Sequence, residues 1–247
     1  MSRPLRGVLV CGGRFHDFDY ARLELLKHLA EDPRVRTRVL DDWSRTDAWK
    51  SCDFLVSYTC DLRPSAEQAD ALASFVEDGG RWFALHGTNS ILEFDGAKVE
   101  CPRLAPRFVQ TLGSQFLAHP PIAPYRVTVS DPAHPLVKGI SDFEATDELY
   151  LSEFHGPVTT LLETRFRGRT PGFDPPEWTD DAARPVFYLH PVGRGAVLYL
   201  TLGHCRGHYD MRPLLDFYPT VERGSWELPV YHELLRRGLD WAKSGSG

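Results

Sequence analysis

In the first half of the chain, short apolar runs alternate with longer stretches whose apolar residues recur at helical spacing. Leu5–Cys11 is a mostly apolar run that stops at Gly12-Gly13, the pattern of a strand covered on both faces. Over Tyr20–Glu31, Leu23, Leu26 and Leu29 mark a helix, with Asp17 or Asp19 placed to accept at its N-cap. Val35–Leu40 alternates as a second strand, and Asp53–Thr59, with Phe54, Leu55, Val56 and Tyr58, reads as a third. A helix is expected from Ser65 to Glu77: Ser65 and Gln68 have capping-box spacing, and Gly79-Gly80 stops it. Arg81–His86 is the fourth strand and runs straight into Gly87-Thr88-Asn89. Strand and helix alternating at this pace define an α/β protein with a doubly wound, mostly parallel sheet.

The second half breaks that rhythm with inserted β-elements. A helix around Arg103–Leu112 is followed by Gly113–Pro121, a strand at Tyr125–Ser130 and a turn at Asp131–Pro135. Val158–Arg165 and Pro185–His190 read as strands, and Gly193-Arg194-Gly195 as the hairpin turn into Ala196–Leu202. Arg167–Arg184, rich in Pro, Gly and Asp, is expected to be a surface loop. Leu228–Ala242 closes the chain as a helix, with Leu234, Leu235, Leu239 and Trp241 towards one side. No repeat or composition shift divides the chain. Residues 1–243 are therefore expected to form one domain, a size that open α/β sheets reach, with 244–247 as a flexible tail.

Charge and cysteine usage narrow the setting. With 28 basic against 34 acidic residues the net charge is −6, and no basic footprint for nucleic acid appears. No apolar run approaches the ~20 residues of a membrane span, and the N-terminal run falls short of the about 7–15 residues a signal-peptide core needs. The five cysteines (Cys11, Cys52, Cys60, Cys101 and Cys205) are scattered, with no C-x-x-C pair. A disulfide framework is not expected, and a reducing cytoplasm is the expected compartment. The expected partner is a small molecule rather than nucleic acid or membrane; a homo-oligomer stays open.

In open α/β sheets, ligands bind beyond the carboxyl ends of the strands. Those ends carry His16 after the first strand, Asp61 after the third, His86 and Thr88 after the fourth, and His204 after the last. The inserted middle adds His119, Asp147, Glu148 and Tyr150, and His208 lies just past His204. His16, His86, His119 and His204, with Asp147 and Glu148, are thus candidates to meet on one rim. Histidine suits proton abstraction because its ordinary pKa lies near 6.5. His86 or His204 is the candidate base, with Glu148 or Asp147 orienting it or serving as acid. His16, Asp61, Thr88, His119, Tyr150 and His208 are candidate substrate contacts. Imidazoles and carboxylates also suit a divalent ion, zinc or manganese, with His86, His119 and His204 as candidate ligands, although no compact ligand spacing selects a metal.

Other chemistries are disfavoured. The chain has no G-x-G-x-x-G, P-loop, G-x-S-x-G or H-E-x-x-H. Cys205 neighbours His204, but adjacent residues of an extended segment point to opposite sides, which argues against a Cys–His nucleophile. Cys11, Cys52 and Cys60 read as small buried hydrophobes, and His28, His190 and His232 as packing or structural residues.

Several short motifs then occur in a familiar order: Gly12-Gly13-Arg14-Phe15-His16, Asp53–Tyr58, Ser65–Gly80, Leu85-His86-Gly87-Thr88, Phe116–Pro120, Asp131–Pro135, Asp147–Tyr150 and Leu202-Gly203-His204. Together with the closing helix they make the chain resemble the ThuA-like (trehalose utilisation) family over nearly its whole length. The resemblance implies a flavodoxin-like fold of the class I glutamine amidotransferase type. In true amidotransferases a cysteine occupies the sharp turn matched here by Leu85-His86-Gly87, so glutamine hydrolysis is not expected. It implies instead carbohydrate metabolism on trehalose or related disaccharides, including 3-keto sugars, through a lyase or hydrolase reaction. The alternative is a non-catalytic sugar-binding or regulatory protein, with Trp43, Trp82, Trp178 and Trp226 as stacking faces. Asn89–Arg103, Arg167–Arg184 and Gly207–Asp210 depart from the family pattern where a substrate would be selected.

Overall fold

The computed structural model describes residues 3–96 and 98–245. Its first half alternates as the apolar pattern dictates: β1 (Leu5–Gly13), α1 (Phe18–Ala30), β2 (Val35–Leu40), α2 (Thr46–Trp49), β3 (Phe54–Cys60), α3 (Ala66–Glu77) and β4 (Arg81–Leu85). Asp17 caps α1 by accepting from the Tyr20 N–H at 3.0 Å, and Ser65 and Gln68 form the expected capping box on α3. A small hairpin, β5 (Glu93–Asp95) and β6 (Lys98–Glu100), precedes α4 (Pro106–Leu112). That helix starts later than expected because Pro106 fits only the first turn, where its missing N–H costs nothing.

The remainder is mostly strand: β7 (Ser114–Ala118), β8 (Ala123–Val129), β9 (Phe143–Asp147), β10 (Leu151–Phe154), β11 (Thr159–Arg165), β12 (Gly168–Arg169), β13 (Glu177–Trp178), β14 (Ala183–Val192) and β15 (Gly195–Leu200), before α5 (Pro229–Lys243). The nine-stranded sheet runs β2-β1-β3-β4-β15-β14-β11-β8-β9. Its first five strands are parallel, and the inserted strands extend it as an antiparallel wing. The surface loop expected at Arg167–Arg184 contains the β12–β13 pair.

Alternate residues of β1 feed two cores. Leu9 and Cys11 pack with Leu25 and Leu29 of α1 and Leu234 and Leu239 of α5, while Val8 and Val10 pack with Leu72 and Val76 of α3 and Phe108 of α4. Each fully buried leucine is worth about 1.5–3 kcal/mol. The core thus fixes the parallel strands from both faces and leaves their carboxyl ends to carry chemistry. Of the expected tail, Ser244 is tied to Arg81 by a 2.6 Å hydrogen bond, and Ser246 and Gly247 lie outside the described residues. Among the described residues no helix is long and apolar enough to cross a membrane.

Candidate active site

Among the described residues three that are not glycine adopt positive φ, each just past a parallel strand: Phe15 (72°) after β1, Asp61 (51°) after β3 and His86 (45°) after β4. Such conformations cost about 1–3 kcal/mol each and persist only where the surroundings over-determine them. At His86 those surroundings are visible. Tyr199 donates to the His86 carbonyl at 2.6 Å, and the Thr88 hydroxyl donates to the Leu85 carbonyl at 2.8 Å. Gly87 lies so close to β3 that an added Cβ would sit 2.7 Å from the Thr59 carbonyl oxygen.

The turn delivers His86, fully buried, to a group formed with His16, His204 and Glu148, themselves buried. The Nε2 atoms of His16 and His86 stand 2.9 Å apart. Glu148 Oε2 is 3.4 Å from His86 Nε2 and 3.7 Å from His16 Nε2, while its Oε1 is 3.1 Å from His204 Nδ1. Burial pushes His16 down to about 3. Burial also opposes a charge on His204, but Glu148 and Glu222 outweigh it and lift His204 to about 9. Glu148 is likewise penalised by burial, yet His204, His119 and His16 hold its carboxyl well below the usual range. The rim therefore keeps an ionised carboxylate among imidazoles.

The other residues singled out from the sequence separate by what they touch. His119 lies at the edge of the group: its Nδ1 donates to the Pro120 carbonyl at 2.7 Å, and its Nε2 stands 3.6 Å from Glu148 Oε1. The Tyr150 hydroxyl is 3.3 Å from His86 Nε2. Asp147 is a brace, since its carboxylate accepts from the backbone N–H groups of Glu148, Gly203, His204 and Ser225 at 2.8–3.1 Å. Asp61 ties loops together through Arg14 and the Leu92 N–H, and Thr88 pins the turn from behind. His208 lies apart, bonded to the Tyr218 carbonyl at 2.7 Å and stacked on Phe217.

A cavity of about 150 Å³ opens onto this group. Phe15, Phe94, Phe116, Phe173, Met211 and Leu214 make apolar walls, and His16, His119, Glu148, Tyr150 and Arg206 supply its polar lining. Phe94 lies in Asn89–Arg103 and Phe173 in Arg167–Arg184, two of the three segments expected to depart from the family pattern. Two participants escaped sequence reasoning. Glu222 accepts from His204 Nε2 at 2.7 Å, and Arg206 bridges Glu222 and Glu148 at 3.2 and 3.3 Å. Arg206 follows the His204 strand end by two residues, a signal that could have found it; Glu222 comes from an irregular segment that offers none.

One expectation changes, and the reading of the cysteines holds. Trp43, Trp82 and Trp226 are buried in the cores and cannot act as stacking faces, and Trp178 lies beneath the Arg184 guanidinium. All five cysteines are free, and burial pushes the thiols of Cys11, Cys52, Cys101 and Cys205 up to about 12 and that of Cys60 well above its usual range. None of them offers a thiolate near neutral pH.

The parallel sheet and the tight turn after β4 define an α/β protein of the glutamine amidotransferase-like fold, with His86 at that turn. The family model described as "Trehalose utilisation" matches residues 7–218, and the chain belongs to this ThuA family. A ThuA-like protein from Bacteroides uniformis is similar in structure, with a TM-score of 0.69 at 17% identity over 98% of this chain and 93% of that one. Another, from Parabacteroides merdae, reaches 0.61 at 15% identity over 98% and 91%. A GMP synthase-type protein from Thermoplasma acidophilum reaches 0.51 at 10% identity over 100% of both chains. At these identities the likeness concerns the fold alone. No curated protein matches the chain.

Proposed function

We propose that this ThuA-family protein is a cytoplasmic lyase that acts on a 3-keto derivative of trehalose or a related disaccharide. The observation that carries the reading is the cavity of about 150 Å³, walled by phenylalanines and ending at Glu148 and the histidines. A cavity of about this size takes one six-membered ring, and aromatic walls suit the apolar face of a sugar. One ring of a disaccharide would enter while the other extends to solvent.

The ketone acidifies the proton on the carbon between it and the anomeric centre. His119 is the base we favour, because the Pro120 carbonyl fixes hydrogen on Nδ1 and leaves the Nε2 lone pair beside the cavity, 3.6 Å from Glu148 Oε1. His86 and His204 are poorer bases, being fully buried and held by one ring nitrogen each, to the Thr201 carbonyl and to Glu222. His119 takes the proton, the freed electron pair forms the carbon–carbon double bond, and the anomeric carbon–oxygen bond breaks. The departing oxygen takes that proton back from His119, so the products are an enone and a free sugar. Later addition of water to the enone would complete a net hydrolysis. Arg206 supplies positive charge beside the developing enolate. The free thiols accord with a reducing compartment.

The test is steady-state kinetics on 3-keto-disaccharides with product detection by mass spectrometry. His119→Ala should lower kcat/KM by about 10²–10⁴-fold with an unchanged circular dichroism spectrum. Tight calorimetric binding of the sugars without any product from the wild-type protein would overturn catalysis in favour of a binding role.

A further inference from the structure

We infer that His16, His86, His204 and Glu148 form a binding site for one divalent transition-metal ion, zinc or manganese. The inference deepens the proposed function and rests on the same rim, but its observations are separate. The first is the 2.9 Å approach of the His16 and His86 Nε2 atoms. The opposite nitrogen of each ring faces a backbone carbonyl, which can only accept: His86 Nδ1 lies 2.8 Å from the Thr201 oxygen and His16 Nδ1 lies 3.3 Å from the Arg14 oxygen. Those bonds place hydrogen on both Nδ1 atoms, so the two Nε2 lone pairs face one another, with the Tyr150 hydroxyl 3.3 Å from His86 Nε2. A cation between them removes the repulsion.

A shared proton would satisfy one such pair, yet two further donors converge on the same point. Glu148 Oε2 faces both Nε2 atoms, and His204 turns its Nδ1 inward because Nε2 donates to Glu222 at 2.7 Å. His204 Nδ1 is buried and, although Glu148 Oε1 lies 3.1 Å away, makes no hydrogen bond of acceptable geometry, so a metal bond would satisfy it. The four ligand atoms lie within 4.8 Å of one another. Four ligands about 2.1 Å from an ion at tetrahedral angles stand about 3.4 Å apart, so on binding the widest pair closes by up to about 1.4 Å while the His16–His86 pair opens by about 0.5 Å.

The outer partners are also those of a metal centre. Metal-bound histidines donate their remaining N–H to a carbonyl or carboxylate, and here Arg14, Thr201 and Glu222 provide one for each ring. Three imidazoles and a carboxylate, with no thiolate, suit zinc or manganese. His119, a ligand candidate from the sequence, stands outside this set and remains available as a base. Bound at the inner end of the cavity, the ion would supply a Lewis acid for a substrate carbonyl.

Chelator-treated protein titrated with zinc chloride or manganese chloride by calorimetry, with metal content by mass spectrometry, tests the site. One ion per chain should bind to wild type and to His119→Ala. Glu222→Gln should weaken affinity about 10–100-fold, and His16→Asn/His86→Asn should bind none. No saturable binding of either ion to wild type would overturn the inference, as would undiminished affinity in the double variant. If the double variant fails to fold, Glu222→Gln decides, and unchanged affinity there overturns it. None of these readings uses turnover: a metal-bearing protein inert towards keto sugars sinks the proposed function alone, and an active, metal-free protein sinks the metal site alone.

Discussion

Replacing Asp147 by Asn separates a brace from a reacting group. Asp147 is 1% exposed, and its two oxygens accept four backbone N–H groups. Asparagine keeps one oxygen and turns an amide NH2 towards the other two N–H groups. Each buried donor left without an acceptor costs about 1–3 kcal/mol, and the two bonds that remain lose their charge assistance. The sum is about 3–5 kcal/mol. For a chain of this size about 2–4 °C accompanies each kcal/mol, so Tm should fall by about 10 °C. Differential scanning calorimetry reads the shift, and turnover measured well below the lowered Tm reads the chemistry. Per folded molecule, turnover should fall far less than in His119→Ala. A Tm within about 2 °C of wild type, together with a hundredfold loss of turnover, would refute the reasoning and make Asp147 a reacting group.

Two further outcomes follow from buried titrating groups. Burial lowers the pKa of His28, whose ring is bonded to His232 at 2.9 Å and to Glu31 at 3.1 Å. Because the unfolded chain binds the extra proton near pH 6.5 and the folded chain resists it, His28 adds stability above that pH and loses it as pH falls; thermal melts from pH 7.5 to 5 should slope less in His28→Asn, and an identical slope would discount the residue. The high thiol pKa values and deep burial predict that Cys11, Cys60 and Cys205 resist iodoacetamide at pH 7.5 in the folded protein and react fully in urea, with peptide mass spectrometry deciding; rapid labelling of any of them in native protein would contradict the packing described.

The parallel half was legible because its strands are covered on both faces and so appear as continuous apolar runs bounded by glycines. The antiparallel wing was legible only in part. In β9 the inward positions are Ala145 and Asp147, so a buried carboxylate stands where alternation would show an apolar residue. Among the described residues β7 and β10 pair only with each other, and both are too short to show a period. The strand-end rule found His16, His86 and His204, whose positions follow from sheet topology. It could not separate Glu148, which faces them, from Asp147, which turns towards backbone, since adjacent acids look alike in sequence. The walls were hidden for another reason: Phe94 reaches the cavity from the short β5–β6 hairpin and Phe173 and Met211 from irregular segments, and only the folded chain brings these together.

The central claim is that this rim removes a proton beside a sugar ketone. Incubation of the protein with a 3-keto-disaccharide in deuterium oxide, followed by mass spectrometry and NMR, tests it most directly. Wild-type protein should release the free sugar, with deuterium exchange at the carbon between ketone and anomeric centre in any recovered substrate, and His119→Ala should lose both. Substrate recovered whole and undeuterated after prolonged incubation with folded protein, metal-free or loaded with zinc or manganese, would contradict the claim.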